Sequence, residues 1–114
     1  MNNKVLGISG ELDAKEYLEN LDYDIIARNK KIAGVEIDIV AKSDDIIVFC
    51  EVKTRDSDKY GCGVEAIDQN RIRRYIRAGK LFMSDKKYKD FTLRFDVIEI
   101  NHGKINHIID AFRG

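Results

Sequence analysis

The chain has 114 residues, enough for one domain that buries roughly two-thirds of its unfolded surface without disulfide or metal staples. Its 20 basic and 20 acidic residues cancel, so no global charge advertises nucleic-acid binding and any such surface has to be local. With 44% hydrophobic residues it is not a disordered chain, the absence of proline excludes a proline-rich docking segment, and its longest apolar run, Ile46–Cys50, is far too short for a membrane span. Met1–Gly7 lacks the apolar stretch of a secretory signal, so a cytoplasmic location is expected. Cys50 and Cys62 have neither metal-ligand spacing nor the count of a disulfide framework and read as reduced thiols.

Ala14, Tyr17, Leu18 and Leu21 form an apolar stripe at helical spacing and predict a first helix over about Gly10–Leu21, with Ser9 as N-cap. Glu11 falls on the border of that stripe and can point inward. A strand follows at about Tyr23–Asn29, and Lys30–Gly34 reads as the turn into the next.

Two runs then alternate by twos, Val35–Ala41 and Ile46–Lys53, joined by Lys42-Ser43-Asp44-Asp45. A hairpin centred on Asp44-Asp45 places Asp38 opposite Glu51 and Glu36 opposite Lys53, four charges in one patch. Strict alternation puts Val40, Ile47 and Phe49 on the charged face, with Val35, Ile37, Ile39, Val48, Cys50 and Val52 on the other. Both faces look largely buried, and buried carboxylates need a partner that Lys53 alone does not supply. A divalent cation would balance them.

After a polar, glycine-containing loop over Thr54–Gly63, a second helix is expected over about Glu65–Met83. Ile72, Tyr75, Ile76, Gly79, Phe82 and Met83 share one face. Arg73, Arg74, Arg77 and Lys80 share the other, with Arg71 at its margin. A basic face of this kind serves equally as a solvated exterior or as a track for phosphates, and both readings stay open. The last strands are Phe91–Ile100 and about Lys104–Ile109, joined by Asn101-His102-Gly103. Asp96 shares a face with Arg94 and reads as half of a structural ion pair; His102 and His107 read as structural. The order αβββαββ predicts one α/β domain with a mixed sheet over residues 1–114.

Asp38 and Glu51 on facing strands suit magnesium or manganese, which take oxygen ligands and are held by one or two carboxylates plus water and substrate oxygen. Lys53, two residues past Glu51 on the same side, is placed to orient water or to meet negative charge developing on a phosphoryl group. That division of labour is phosphodiester hydrolysis. An exposed sheet edge with surface ion pairs worth under about 1 kcal/mol explains the same residues equally well.

At these residues the chain resembles the PD-(D/E)XK nuclease superfamily, with its restriction-endonuclease-like mixed β-sheet flanked by helices, and more closely the bacterial YraN-like uncharacterised protein family. The resemblance runs through Gly10-Glu11 with Ala14 and Tyr17-Leu18, Asn29, Glu36-Ile37-Asp38, Val48-Phe49-Cys50-Glu51-Val52-Lys53 with Arg55, Tyr60-Gly61, Glu65-Ala66, Arg94-Phe95-Asp96-Val97, and His107-Ile108 with Ala111-Phe112. It implies Asp38, Glu51 and Lys53 as the catalytic core, with Glu11, Asp38 and Glu51 around Mg2+ or Mn2+; Glu11 is similar to the extra helical carboxylate of archaeal Holliday-junction resolvases. It also implies Gln69 as an accessory residue, although Gln69 and Tyr75 lack the Gln-x-x-x-Tyr spacing of RecB-type nucleases. Val35 stands where this family usually has glycine, Arg71 where lysine is common, and Ile37 where the motif has proline.

The reading is therefore a metal-dependent endonuclease on DNA, branched or structured DNA included, with Arg55, Gln69, Arg71, Arg73, Arg74 and Arg77 as nucleic-acid contacts. No membrane contact is expected. A homodimer is in keeping with two-strand cleavage and with the related resolvases. The alternatives are a nucleic-acid-binding module of the same fold whose catalysis is vestigial or partner-dependent, and a protein-interaction domain.

Overall fold

The computed structural model describes residues 3–55 and 68–114, with side chains from residue 10 onward. Helix α1 (Asn3–Asn20) leads into strands β1 (Asp24–Ile32), β2 (Val35–Ser43) and β3 (Ile46–Arg55). Helix α2 (Gln69–Met83), a short 3-10 turn at Lys86–Tyr88, and strands β4 (Thr92–Asn101) and β5 (Lys104–Phe112) complete the domain. The five strands lie in the order β1-β2-β3-β4-β5. Of these, β3 and β4 run parallel, matched from Ile46–Thr92 to Arg55–Asn101, with α2 in the connection between them, and the other neighbours are antiparallel. The expected mixed α/β sheet flanked by helices is the fold observed.

Three two-residue turns set the registers. Ala33-Gly34 takes φ of 51° and 81°, and His102-Gly103 takes 51° and 77°. Both residues of each turn are left-handed, the geometry that matches the twist of a tight hairpin. Asp44, at φ 53°, opens the turn between β2 and β3. Because the Ala33-Gly34 turn is so short, β1 continues to Ile32, and pairing of Phe112 with Phe95 of β4 carries β5 to Phe112.

The sheet is covered on both faces. Against α2 lies a core of Ile32, Val35, Ile37, Val40, Ile47, Phe49, Tyr75, Ala78 and Phe95. Against α1 lie Ala14, Leu18, Ile39, Ala41, Val48, Cys50, Ile98 and Ile100. Burial on both faces explains why β3 reads as an almost unbroken apolar run.

Two expectations need correction. Helix α1 starts at Asn3, so Ser9 lies within it and is not its N-cap. No proline interrupts residues 3–9, and nothing in that stretch obliges the helix to begin later. Val35 and Ile37 pack toward α2 with Val40, not with Ile39 on the opposite face. Strict alternation fails between Ile37 and Ile39, so β2 rotates at Asp38. Asn29, which faces Asp38 on β1 between the pairs Arg28–Ile39 and Lys30–Ile37, takes a left-handed φ of 51°. Both strands thus turn over at one level. Helix α2 begins at Gln69, later than the expected start near Glu65, because extended Asp68 is its N-cap; most of the polar loop, Tyr60-Gly61 and Cys62 lie outside the described residues.

At the N-terminus of α2, Asp68 caps the helix by accepting the Asn70 N–H at 2.6 Å. Gly79 lets the helix lie close on β4, where a Cβ would strike Leu93 and Phe95. Among the described residues no helix is long and apolar enough to cross a membrane.

Candidate active site

The rotation at Asp38 shapes the site. Backbone pairing of β2 with β3 runs from Ser43–Ile46 to Ile39–Cys50, and the same register brings Asp38 to Glu51. There the two strands part: Asp38 Oδ2, not a strand carbonyl, accepts the Val52 N–H at 2.8 Å. The Asp38 N–H points to Tyr75 Oη of α2 at 3.5 Å. Asp38 and Glu51 are 9% and 3% exposed, so the pair sits at the mouth of the core and not on a solvated edge.

Burial, the hydrogen bond shared with Glu51 and the charges of Glu51 and Glu11 push the Asp38 carboxyl up to about 8. It therefore keeps a proton at neutral pH. Burial also works to raise Glu51, but the Arg71 fork, the Asp38 hydrogen bond and the Lys53 charge outweigh it and hold Glu51 below the ordinary glutamate range. The two carboxyls thus share one proton, as close acids must when they cannot both ionise.

Glu11 reaches this neighbourhood because α1 passes close to β3. A Cβ on buried Gly10 would collide with Thr54 Oγ1, so the absent side chain sets the approach of the helix and the place of the next residue. Lys53 lies beside Glu51 along β3, in register with Glu99 of β4. Glu99 is 8% exposed, its Oε2 has no hydrogen-bond partner among the described residues, and Arg55 Nε stands 4.0 Å from it. Glu36 leaves the expected patch. With Ile37 turned toward α2, its neighbour Glu36 turns the other way, away from Glu51, and is exposed in register with Lys31.

Arg71 is the largest departure from expectation in this region. Its Nε and Nη2 form a fork on the two oxygens of Glu51, the second bond being 3.0 Å. Its guanidinium lies 5.2 Å from the centroid of the Tyr75 ring. Tyr75, 1% exposed, donates its hydroxyl to Glu51 Oε1 at 3.1 Å. Neither approach to Glu51 is legible in the strand pattern, although Arg71 at the margin of the basic face and Tyr75 on the apolar face, four residues apart on one side of a helix, were the available signal. Gln69, Arg73, Arg74 and Arg77 stay exposed along α2, with Lys80 continuing the row. The helix Gln69–Met83 carries these basic side chains and no acidic one.

A second buried network holds the opposite face. Asp96 accepts both Arg94 nitrogens at 2.9 Å and the Asp110 N–H at 2.9 Å, and meets His107 Nε2 at 2.7 Å. Tyr17 Oη lies 3.1 Å from His107 Nδ1, and Arg94 donates to Tyr23 Oη at 2.8 Å. The Arg94–Asp96 pair is structural, as its sequence position indicated. It ties α1, the connection at Tyr23, β4 and β5 together.

Two adjacent carboxyls sharing a proton are a donor set that a hard divalent cation could take in the proton's place, with water and substrate oxygens completing its shell. Among the described residues no group of three or more His, Cys, Asp or Glu side chains closes into a metal-binding cluster, so Glu11 stands near the pair without joining it.

A family model described as "Uncharacterised protein family UPF0102" matches residues 10–100. A UPF0102 protein of Caldicellulosiruptor saccharolyticus is 41% identical over 110 residues, covering 96% of this chain and 93% of the relative. Relatives with the same description in Clostridium perfringens and Geobacter sulfurreducens are 39% and 40% identical, covering 97% of this chain and 96% and 91% of the relatives.

Proposed function

The chain belongs to the uncharacterised protein family UPF0102, and for this member we propose metal-dependent hydrolysis of DNA phosphodiester bonds, branched or structured DNA included. The observation that carries the reading is the buried, facing pair of Asp38 and Glu51, with Lys53 two residues along the strand from Glu51. A structural ion pair would not set two acids together at the mouth of a core, where each raises the cost of ionising the other.

A cation held by Asp38 and Glu51 would neutralise charge building on the phosphoryl oxygens. Lys53 is the positioned ammonium for the attacking water or the developing negative charge, and Glu11 adds negative field from α1. The exposed row of Arg73, Arg74 and Arg77, with Gln69 at its start, is suited to follow the DNA backbone. Arg55 lies near Lys53 along β3. DNA is thus the proposed partner, and a homodimer would bring two such sites to the two strands of a duplex or junction.

The test is cleavage of duplex and four-way-junction DNA with Mg2+ or Mn2+, comparing the wild type with Asp38→Ala, Glu51→Ala and Lys53→Met. Cleavage by the wild type that each substitution abolishes, with folding retained, supports the reading. Unchanged cleavage by Asp38→Ala overturns it. A specific feature also favours the second reading, a binding module whose catalysis needs a partner: both oxygens of Glu51 already accept hydrogen bonds, from Arg71 and Tyr75. Salt-dependent DNA binding with no cleavage under either metal would select it.

A further inference from the structure

We propose that Arg71 is a latch on Glu51: it satisfies the carboxylate while no cation is present, gives it up to the incoming divalent ion, and then offers its freed fork to the substrate phosphodiester. The inference rests on the nuclease reading and adds a role for a residue outside the Asp38, Glu51 and Lys53 core.

A carboxylate offers about four lone-pair positions. On Glu51, Arg71 takes one on each oxygen and Tyr75 takes a second on Oε1. The one position left is on the oxygen that Arg71 Nε already holds, so a cation entering there meets the guanidinium and one of the two has to leave. Tyr75 is held: it is 1% exposed, it packs edge-on against Phe112 at 6.2 Å, and its hydroxyl also faces the Asp38 N–H. Glu51 itself is fixed on an inner strand, beside Val97 of β4, and its side chain is 3% exposed.

Arg71 differs from all of these. Its side chain is 33% exposed, it sits in the first turn of α2, and a long flexible stem lets its charged end move without shifting the helix. Its remaining contacts are weak holds, a 3.4 Å approach to the Glu36 carbonyl and the face of the Tyr75 ring. Two like charges cannot share one carboxylate at low cost, so a divalent ion at Glu51 repels the guanidinium outward. There it joins Arg73, Arg74 and Arg77 on the same helix, with a planar fork whose geometry suits a phosphate. Arg71 is therefore a positioning residue that links cation binding to phosphate binding.

The test measures Mn2+ binding by titration calorimetry in slightly alkaline buffer for wild type, Arg71→Met, Arg71→Lys and Asp38→Asn, alongside anisotropy of a labelled phosphorothioate duplex with and without Mn2+. Removal of a charge-assisted fork should tighten Mn2+ binding in Arg71→Met by roughly tenfold or more. Arg71→Lys should fall between, because an ammonium cannot span both oxygens, and it supplies the same readout if Arg71→Met does not fold. Mn2+ should raise duplex affinity in the wild type and raise it less in Arg71→Met. A merely structural salt bridge predicts the reverse for the metal, an unchanged or weaker Mn2+ affinity. That result, with Mn2+ bound by wild type and lost in Asp38→Asn, overturns the latch and leaves the cation site standing. Absence of Mn2+ binding in all four proteins overturns both.

Discussion

The carboxylate of Asp38 accepts the backbone N–H of Val52 at 2.8 Å, a bond that a β2 carbonyl would otherwise have made. It lets the hairpin open at this end while the Val52 N–H keeps an acceptor. It also draws Asp38 into the core, where the carboxyl is pushed up to about 8.

The linkage of that shift to stability has a definite sign. The folded state holds the Asp38 proton more tightly than the unfolded chain, whose carboxyl titrates near 4. Its contribution is therefore fully present below about pH 4 and lost as pH rises through about 8. Asp38→Asn mimics the protonated acid and keeps an acceptor for Val52. In metal-free buffer it should melt above the wild type on the alkaline side by about 1–3 kcal/mol, with the gap closing toward pH 4. Thermal melts across that range check it, and a gap independent of pH would refute the shared proton.

The opposite sign belongs to Asp96. Burial works to raise its carboxyl, but His107, Arg94 and the Asp110 N–H together hold it below the ordinary range. Its stabilisation is present above about pH 4 and is lost as the pH falls through the lower folded value. Asp96→Ala leaves Arg94 and His107 without their shared acceptor and should cost about 3–5 kcal/mol in denaturant unfolding. Asp96→Asn should flatten the acid limb of the stability curve.

Gly10 holds α1 against β3, and the next residue is Glu11. Gly10→Ala gains helix propensity but drives a methyl into Thr54, and the overpacking should leave a net loss of about 1–2 kcal/mol. Thr54→Ala removes the obstructing hydroxyl. The double variant should recover part of the loss, a non-additivity that chemical denaturation can read. Strict additivity would mean that the two residues do not press on each other.

On α2 the prediction concerns charge alone. Arg73, Arg74 and Arg77 are exposed, so changing all three to Gln should leave the melting temperature nearly unchanged. The slope of log affinity for duplex DNA against log salt should flatten by roughly one unit for each phosphate that the variant no longer neutralises. An unaltered slope would place the DNA elsewhere.

The sequence by itself determined the elements, their order and the facing of Asp38 with Glu51. Those follow from local rules: alternation by twos, helical spacing, and a tight turn whose length sets the register. The resemblance carried by Glu36-Ile37-Asp38 and Glu51-Val52-Lys53 pointed to the same face. Only the tertiary structure decided what surrounds that pair. The parallel match of β3 with β4, which sets Glu99 beside Lys53, depends on a crossover and on no hairpin turn. The rotation at Asp38 needs β1 and β2 to turn over together at Asn29, so strict alternation along β2 alone misplaced Val35 and Ile37. Arg71 and Tyr75 reach Glu51 from 20 and 24 residues away, across the packing of a helix on a sheet. Contacts of that range are fixed by how buried surfaces fit and by which charges have to be neutralised once water is gone, and no window of sequence contains both partners.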